Sequence, residues 1–399
     1  MAIEERVLIA GAGPVGLTAA ANLVRGGVPV TVLEAGADLS EESRASTFHP
    51  PTLDMLDRLG AAKPLIAHGL TAPQFQYRSK LHGVLAQFDF GAIADVTGHP
   101  YRVQCEQSKL TRILYDQLRD QPGFELQFGS AVQHVTQHPS GVEIAIERQG
   151  AKATRIETRA GRFLIGADGA SSNVRRSLGI AFDGFTWPER FLVVSTPFDF
   201  RAVIANLVAV SYVTDPKRWH FLLQIPGLCR VMFPVAADES DELALSPDFA
   251  QSLMATVVPG IATYEVAHVT LYKVHQRVAK TFQQGRAFLV GDAAHINNPL
   301  GGMGMNGGIH DAINLTTRLV EVWKGTKADS ELERYDRQRR LVTLEHIQKQ
   351  TIQNKRNLES DGTEFRRNLA EIAADNGRTY AYLLRVAMIA SLRRAQEFG

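Results

Sequence analysis

RVLIAGAGPVGLTAAANLVRGGVPVTVLEA, Arg6 to Ala35, carries a complete nucleotide-binding unit in one span. Arg6 to Ala10 is a short apolar run, the pattern of a strand covered on both faces in a parallel sheet. The turn GAGPVG follows at once. LTAAANLVRGG then reads as a helix with Ala19, Ala20 and Leu23 on its buried side and Gly26-Gly27 at its close, and VPVTVLEA as a second strand ending at Glu34. Gly11 permits the tight turn, Gly13 lets a pyrophosphate approach the backbone at the helix N-terminus, and Gly16 lets helix and strand pack closely. Glu34, about 20 residues on, stands where an acid takes a ribose hydroxyl pair. This predicts an ADP-containing dinucleotide, and suits NAD and FAD equally.

Composition narrows the partners. At 399 residues, 45% hydrophobic and 21% charged, the chain is long enough for two cores. A net charge of +1 provides no basic footprint for nucleic acid. No apolar run reaches the roughly 20 residues a membrane helix needs, and the start lacks the features of a signal peptide, so a cytoplasmic protein without stable membrane association is expected. Cys105 and Cys229 form no disulfide framework and have no ligand spacing, so no metal site is expected and both read as small core residues.

Two further strand-and-turn signatures follow. LIGADGASSNVRRSLGI, Leu164 to Ile180, runs strand, Asp-Gly turn and Arg-bearing helix; AFLVGDAAHINNPLGGMGMN, Ala287 to Asn306, runs strand, Gly-Asp and a glycine-rich segment around Pro299. With GAGPVG they resemble, from Ile3 to about Leu319, the class A flavoprotein monooxygenases, the FAD-dependent aromatic hydroxylases typified by para-hydroxybenzoate hydroxylase. The resemblance implies FAD, held by Gly11, Gly13, Pro14, Val15, Gly16, Glu34 and Ala35 at the ADP end. It implies Arg44 in SRAST near the pyrophosphate, Gln107 at the head of QSKLTRIL near the ribityl chain, and Asp168, with Arg175, near both FAD and the docking path of the nicotinamide. Asp292, read as a buried acid, would accept from a ribityl hydroxyl, with Gly291 keeping the strand end narrow. Past Pro299 a helix begins, whose N–H groups at Gly304, Met305 and Asn306 would face the flavin edge, where a helix N-terminus favours the anionic reduced ring.

The implied reaction is hydroxylation of a small aromatic or N-heteroaromatic substrate with NAD(P)H and O2 through a flavin C4a-hydroperoxide, as in aromatic catabolism. Pro299, through its carbonyl, and Tyr212, through its hydroxyl, are the candidate catalytic groups; Tyr212, Met303 and Phe233 are the candidate substrate contacts. Met303 stands where one branch of the family has lysine. No second strand–GxGxxG–helix unit exists for the nicotinamide, which would dock transiently. Asp38, Glu41 and Glu42, unfavourable for a 2′-phosphate, favour NADH. Arg190, Arg201, Arg218 and Arg230 lie in the substrate region without forming a legible carboxylate clamp. The rivals are a non-hydroxylating reductase or a halogenase of the same fold, and a redox-gated flavoprotein interaction module.

The expected fold class is α/β: a Rossmann-like FAD-binding domain with an inserted antiparallel β-sheet substrate domain and a C-terminal helical segment. Residues 1–70, 101–180 and 274–329 are assigned to FAD binding. Residues 71–100, a hairpin around His82-Gly83, and 181–273 are assigned to the substrate sheet, with breaks at Asp215-Pro216 and Pro226-Gly227. Residues 330–399 read as amphipathic helices, a packing or homodimerisation appendage.

Overall fold

The computed structural model describes residues 3–42, 45–148, 155–215, 217–359 and 363–398. Its first sheet has the parallel order Ala287–Leu289, Arg155–Gly166, Glu4–Ala10, Val30–Leu33, Phe124–Gln127. The helix Pro14–Arg25 connects the strands Glu4–Ala10 and Val30–Leu33, as the apolar periodicity predicts, and buries Leu17, Ala19, Ala20 and Leu23. An antiparallel excursion, Ser130–His138 and Gly141–Arg148, returns through the first half of the long strand Arg155–Gly166. The fold is therefore α/β with a nucleotide-binding core, as expected.

The second sheet has eight strands, ordered His295–Ile296, His268–Ala279, Phe182–Thr196, Leu228–Val235, His220–Ile225, Val210–Thr214, Gln74–Ser79, Gly83–Asp89. The hairpin Gln74–Asp89 joins it across Val210–Thr214, and that pairing is parallel. The sheet is thus mixed rather than wholly antiparallel, because the two partner segments come from separate insertions and no tight turn joins them. The strand His268–Ala279 also runs past the expected boundary at 273, pairing with Phe182–Thr196 as far as Ala279. A small sheet, Thr47–Phe48, Arg102–Gln104, Leu70–Ala72, lies between the two large ones in the chain path.

The C-terminal helices are part of the core rather than an appendage. Leu358, Phe365, Leu369, Tyr382 and Leu383 share one buried cluster with Phe75, Tyr77, Phe88 and Tyr212 of the second sheet. No helix among the described residues is long and apolar enough to cross a membrane. Cys105 and Cys229 are buried free thiols, pushed up to about 11 and about 12 by burial.

Two buried histidines make acid a threat to the fold. Burial pushes His220 down to about 4 and His310 down to about 3, from an ordinary 6.5. Below 6.5 the unfolded chain binds protons that the folded chain refuses, so stability falls as pH drops from 6.5 through about 4, by on the order of 3 kcal/mol for His220. His220→Leu is expected to flatten the lower limb of the melting-temperature profile over that window. An unchanged profile, measured by thermal unfolding, would refute the assignment.

Candidate active site

Register alone brings the three glycine-and-acid turns together. Ala10 pairs with Leu33 on one side and Gly166 on the other, and Gly166 pairs with Leu289. The turns after these strands leave the same carboxyl edge of the sheet side by side, where ligands of open α/β sheets bind. Cross-links fix them: Gly11 N–H to Leu33 O at 2.8 Å, Ala167 N–H to Ala10 O at 2.8 Å, Val290 N–H to Gly166 O at 3.0 Å.

The first turn divides its glycines by purpose. A Cβ on Gly16 would lie 2.0 Å from the Gly11 carbonyl oxygen, so only glycine closes the helix on the turn. A Cβ on Gly13 would meet no protein atom within 4 Å, although its φ of −70° admits any residue. That direction is open, and the helix it precedes has no side-chain cap and no acid in its first turn. Free N–H groups beside open space suit a pyrophosphate. Glu34 accepts the N–H groups of Ala12 at 2.7 Å and Gly36 at 2.8 Å, one on each carboxylate oxygen, which holds the acid across the groove mouth next to exposed Ala35 with a lone pair to spare on each oxygen. Pro14 and Val15 are half-buried at the same mouth. The groove fits the ADP portion of FAD.

The other acids divide differently. Asp292 is exposed rather than buried, since it sits on the turn just past the strand end at the crevice. Asp168 is engaged within its own turn, accepting from the Ser172 hydroxyl at 2.6 Å and the Val174 N–H at 3.1 Å. Arg175 is buried, donating to the carbonyls of Ala293 at 2.9 Å and Ala170 at 2.8 Å with its guanidinium 3.8 Å from the Phe182 ring centre. It joins the second turn to the third. Arg44 lies outside the described residues.

The third turn ends in a second uncapped helix. Pro299 is exposed and its carbonyl accepts from Gly302 N–H at 3.0 Å; Gly302, at φ 65°, opens the helix Met303–Trp323. The first-turn residues Gly304 and Met305 therefore present free N–H groups, as predicted. Asn306 falls one position too late for that. Its fully buried side chain works instead, with Oδ1 accepting from His49 N–H at 2.9 Å and Nδ2 donating to the carbonyls of Thr47 at 2.8 Å and Gly302 at 2.6 Å. Met303 is buried against Ile347 and Met388 of the C-terminal segment, at the edge of a cavity of about 410 Å³ that Phe365 and Tyr382 also line. Gln107 begins its helix half-buried, its N–H donating to Ala45 O at 3.0 Å.

Alternation along the second sheet decides which residues face this crevice. Cys229, Val231, Phe233 and Val235 bury themselves in a cluster with Leu253 and Met254. Arg230 and Met232 therefore point to the opposite face, the one shared by Tyr212, Phe221, Leu300 and the C-terminal helices. Phe233, expected at the substrate, lies on the other face, because it falls on the alternate positions that pack against Leu253 and Met254. Tyr212 lies on the crevice-side face, its ring stacked on Tyr77 at 5.2 Å and tilted against Phe221 at 5.6 Å. Of the four arginines noted, Arg190, Arg201 and Arg218 pair with Asp241, Asp199 and Glu239, while Arg230 alone reaches toward the cofactor side, donating to Ser46 Oγ at 2.9 Å and pairing with Glu106 at 2.9 Å.

The sequence reading missed Tyr77, Tyr382, His49 and Arg102. Tyr382 donates to the Tyr77 hydroxyl at 3.1 Å, and burial pushes Tyr382 up to about 12. His49 donates Nε2–H to the Gly301 carbonyl at 2.8 Å, and burial first, then the charge of Arg102, lowers its pKa well below the usual value. The alternation in YRVQ was the available signal for Arg102, but nothing local says which face is covered.

Known proteins resemble this chain in sequence and fold. The FAD binding domain family model matches residues 4–350. The chain is 34% identical over 344 residues to para-nitrophenol 4-monooxygenase of Pseudomonas sp. (strain WBC-3), covering 85% of this chain and 83% of that one. It is 33% identical over 361 residues to 6-hydroxy-3-succinoylpyridine 3-monooxygenase HspB of Pseudomonas putida (strain DSM 28022 / S16), covering 90% of each. The crystal structure of p-nitrophenol 4-monooxygenase PnpA from Pseudomonas putida DLL-E4 superposes with a TM-score of 0.90 at 30% identity, over 98% of this chain and 99% of that one.

The two glycines make separable predictions. Gly13→Ala is expected to leave the melting temperature of the cofactor-free protein unchanged while weakening FAD binding at least tenfold. Gly16→Ala is expected to lower the melting temperature itself. Thermal unfolding and titration with FAD, followed by quenching of flavin fluorescence, check both; equal effects of the two variants on the cofactor-free protein would contradict the division.

Proposed function

The chain belongs to the class A FAD-dependent aromatic hydroxylases, and from that premise we propose that it hydroxylates a small phenol or hydroxypyridine, taking electrons from NAD(P)H and one oxygen atom from O2. The observation that carries the reading is an aromatic sheet face, Tyr77, Tyr212 and Phe221, sharing its buried cluster with Leu300, three residues before the uncapped helix Met303–Trp323. A flat apolar ring held there lies beside the flavin-binding turn. The relatives named for nitrophenol and hydroxypyridine oxidation support the substrate class.

Bound FAD, reduced and in contact with O2, supplies the oxygen-transfer chemistry. The chain's own residues hold and orient. Gly13 and the N–H groups after it take the pyrophosphate, Glu34 the adenosine ribose, and Asp292 and Gln107 the ribityl chain. The helix start at Met303, Gly304 and Met305 directs partial positive charge at the flavin edge and so favours negative charge there. Tyr77, Tyr212 and Phe221 orient the substrate ring and exclude water, which strengthens every polar contact within the cavity. The Pro299 carbonyl, with one lone pair given to Gly302, keeps another for a substrate hydroxyl, and Tyr212 provides a polar handle at the end of its ring.

Asp38, Glu41 and Glu42 follow the strand that ends at Glu34, beside the FAD ribose position, and so bear on FAD rather than on the nicotinamide. Either NADH or NADPH is compatible with the site. The C-terminal helices bury Leu358, Phe365, Leu369, Tyr382 and Leu383 inside the molecule, so these residues offer no docking face to an interaction module.

FAD-loaded protein is expected to oxidise NAD(P)H slowly alone and at least tenfold faster with a cognate phenol or hydroxypyridine. Run under isotopically labelled dioxygen, the product should gain one labelled oxygen atom by mass spectrometry. NAD(P)H oxidation that no member of a broad panel of such rings accelerates would overturn the proposal.

A further inference from the structure

A buried cation without a counter-charge lies at one end of the aromatic cluster. Arg102 is 2% exposed, yet among the described residues its guanidinium has neither an ion pair nor a hydrogen bond, and its Nε is left without a partner. The rings of Phe75 and Phe90 lie against it, with the guanidinium carbon 4.9 and 5.1 Å from their centres. Cation–π attraction of that kind is modest. Removing an ion from water costs several kcal/mol, so the rings do not offset burial. Elsewhere the fold balances its buried charge: Asp311 meets Arg339 at 2.7 Å and His295 at 2.8 Å.

Strand register shows what Arg102 stands beside. Thr47 pairs with Gln104 and Phe48 with Val103 in antiparallel order, so the next opposed positions are His49 and Arg102. Both lie on the face where the Thr47 hydroxyl meets Gln104 Oε1 at 2.7 Å, since the side chains of alternate residues share a face. His49 anchors that face to the flavin-binding turn through the Gly301 carbonyl; because Nε2 must be the donor to a carbonyl, its Nδ1 is a bare acceptor, and that atom too is buried without a partner. Phe75, against which Arg102 lies, belongs to the aromatic cluster of Tyr77, Tyr212 and Tyr382. Among the described residues, an unpaired cation and an unpaired acceptor therefore stand between the flavin-binding turn and the aromatic cluster.

We propose that Arg102 is the specificity-determining residue for substrate charge: its guanidinium takes an anionic oxygen of the aromatic ring, a phenolate or hydroxypyridinolate, and the ligand supplies the counter-charge that the fold omits. This rests on the hydroxylase reading. A ring lacking that oxygen leaves the cation desolvated and unpaired, and the site discriminates against it for that reason. His49 Nδ1, beside it, accepts from a substrate hydroxyl while the proton is still in place.

Binding to oxidised, FAD-loaded protein tests this without turnover, so failure here is separable from failure to hydroxylate. The probes are 4-nitrophenol, 4-hydroxybenzoate and 6-hydroxynicotinate, each held above its hydroxyl pKa, against their O-methyl ethers, followed by the change in flavin absorbance. The wild-type protein is expected to bind at least one anion tenfold or more tightly than its ether. Arg102→Met should abolish that preference while affecting the ethers little, and Arg102→Lys should retain part of it. Because the substitution removes an uncompensated buried charge, Arg102→Met should also melt no lower than the wild type in the absence of ligand. The proposal fails if no anion is preferred by the wild type, or if Arg102→Met keeps the preference. It also fails if that variant loses FAD or melts well below the wild type, either of which would make Arg102 a cofactor or structural anchor.

Discussion

Close approach of three backbones around Val15 is the constraint on which the rest of the molecule depends. A Cβ on Gly308 would lie 2.7 Å from Val15 Cγ2 and 2.8 Å from Gly291 Cα, and one on Gly291 would lie 3.0 Å from Val15 Cγ2. The first helix, the third turn and the helix Met303–Trp323 can meet only because glycine stands at both positions. That meeting brings together two helices, Pro14–Arg25 and Met303–Trp323, that both begin without a side-chain cap. Two helix N-termini near one ligand make a site that favours negative charge without requiring a lysine.

Buried charge holds this arrangement in place. Asp311, on the long helix, accepts from Gly291 N–H at 3.2 Å, His295 Nε2 at 2.8 Å and Arg339 Nε at 2.7 Å. Burial alone would raise its pKa, but Arg339 and then His295 outweigh that and keep the carboxyl below its ordinary value. Breaking such a buried pair from one side typically costs about 3–5 kcal/mol. Arg339 comes from the C-terminal segment, as does Tyr335, whose hydroxyl donates to the Leu289 carbonyl at 2.5 Å. The segment therefore braces the third turn through Tyr335 and Arg339 while, through Phe365 and Tyr382, it packs on the aromatic cluster of the second sheet.

The second sheet contributes a wall with two unlike faces. One packs as an ordinary apolar core around Phe200, Phe233 and Met254. The other carries aromatic rings with hydroxyl groups and Arg230, satisfied by Glu106 and Ser46; the small sheet carries Arg102, whose Nε the fold leaves unsatisfied. The contrast separates a positioning group from one that waits for a ligand.

Much of this molecule is written locally. The strand, the GAGPVG turn, the helix and Glu34 follow from apolar periodicity and from backbone conformations only glycine tolerates, and both are properties of adjacent residues. The same holds for the Gly-Asp turn before Pro299, the helix that follows, and the C-terminal helices as helices. The faces were not legible. Whether Phe233 or Met232 meets the cavity depends on which side of an alternating strand another segment covers. Whether Met303 points to substrate or to Ile347 depends on helices forty and more residues further along. The opposition of His49 and Arg102 depends on the register between strands more than fifty residues apart. Sequence by itself determined the turns and the cofactor class, because those reside in short-range geometry; tertiary structure alone decided which side chains share the cavity and which charges lack partners, because burial and register exist only once distant segments have packed.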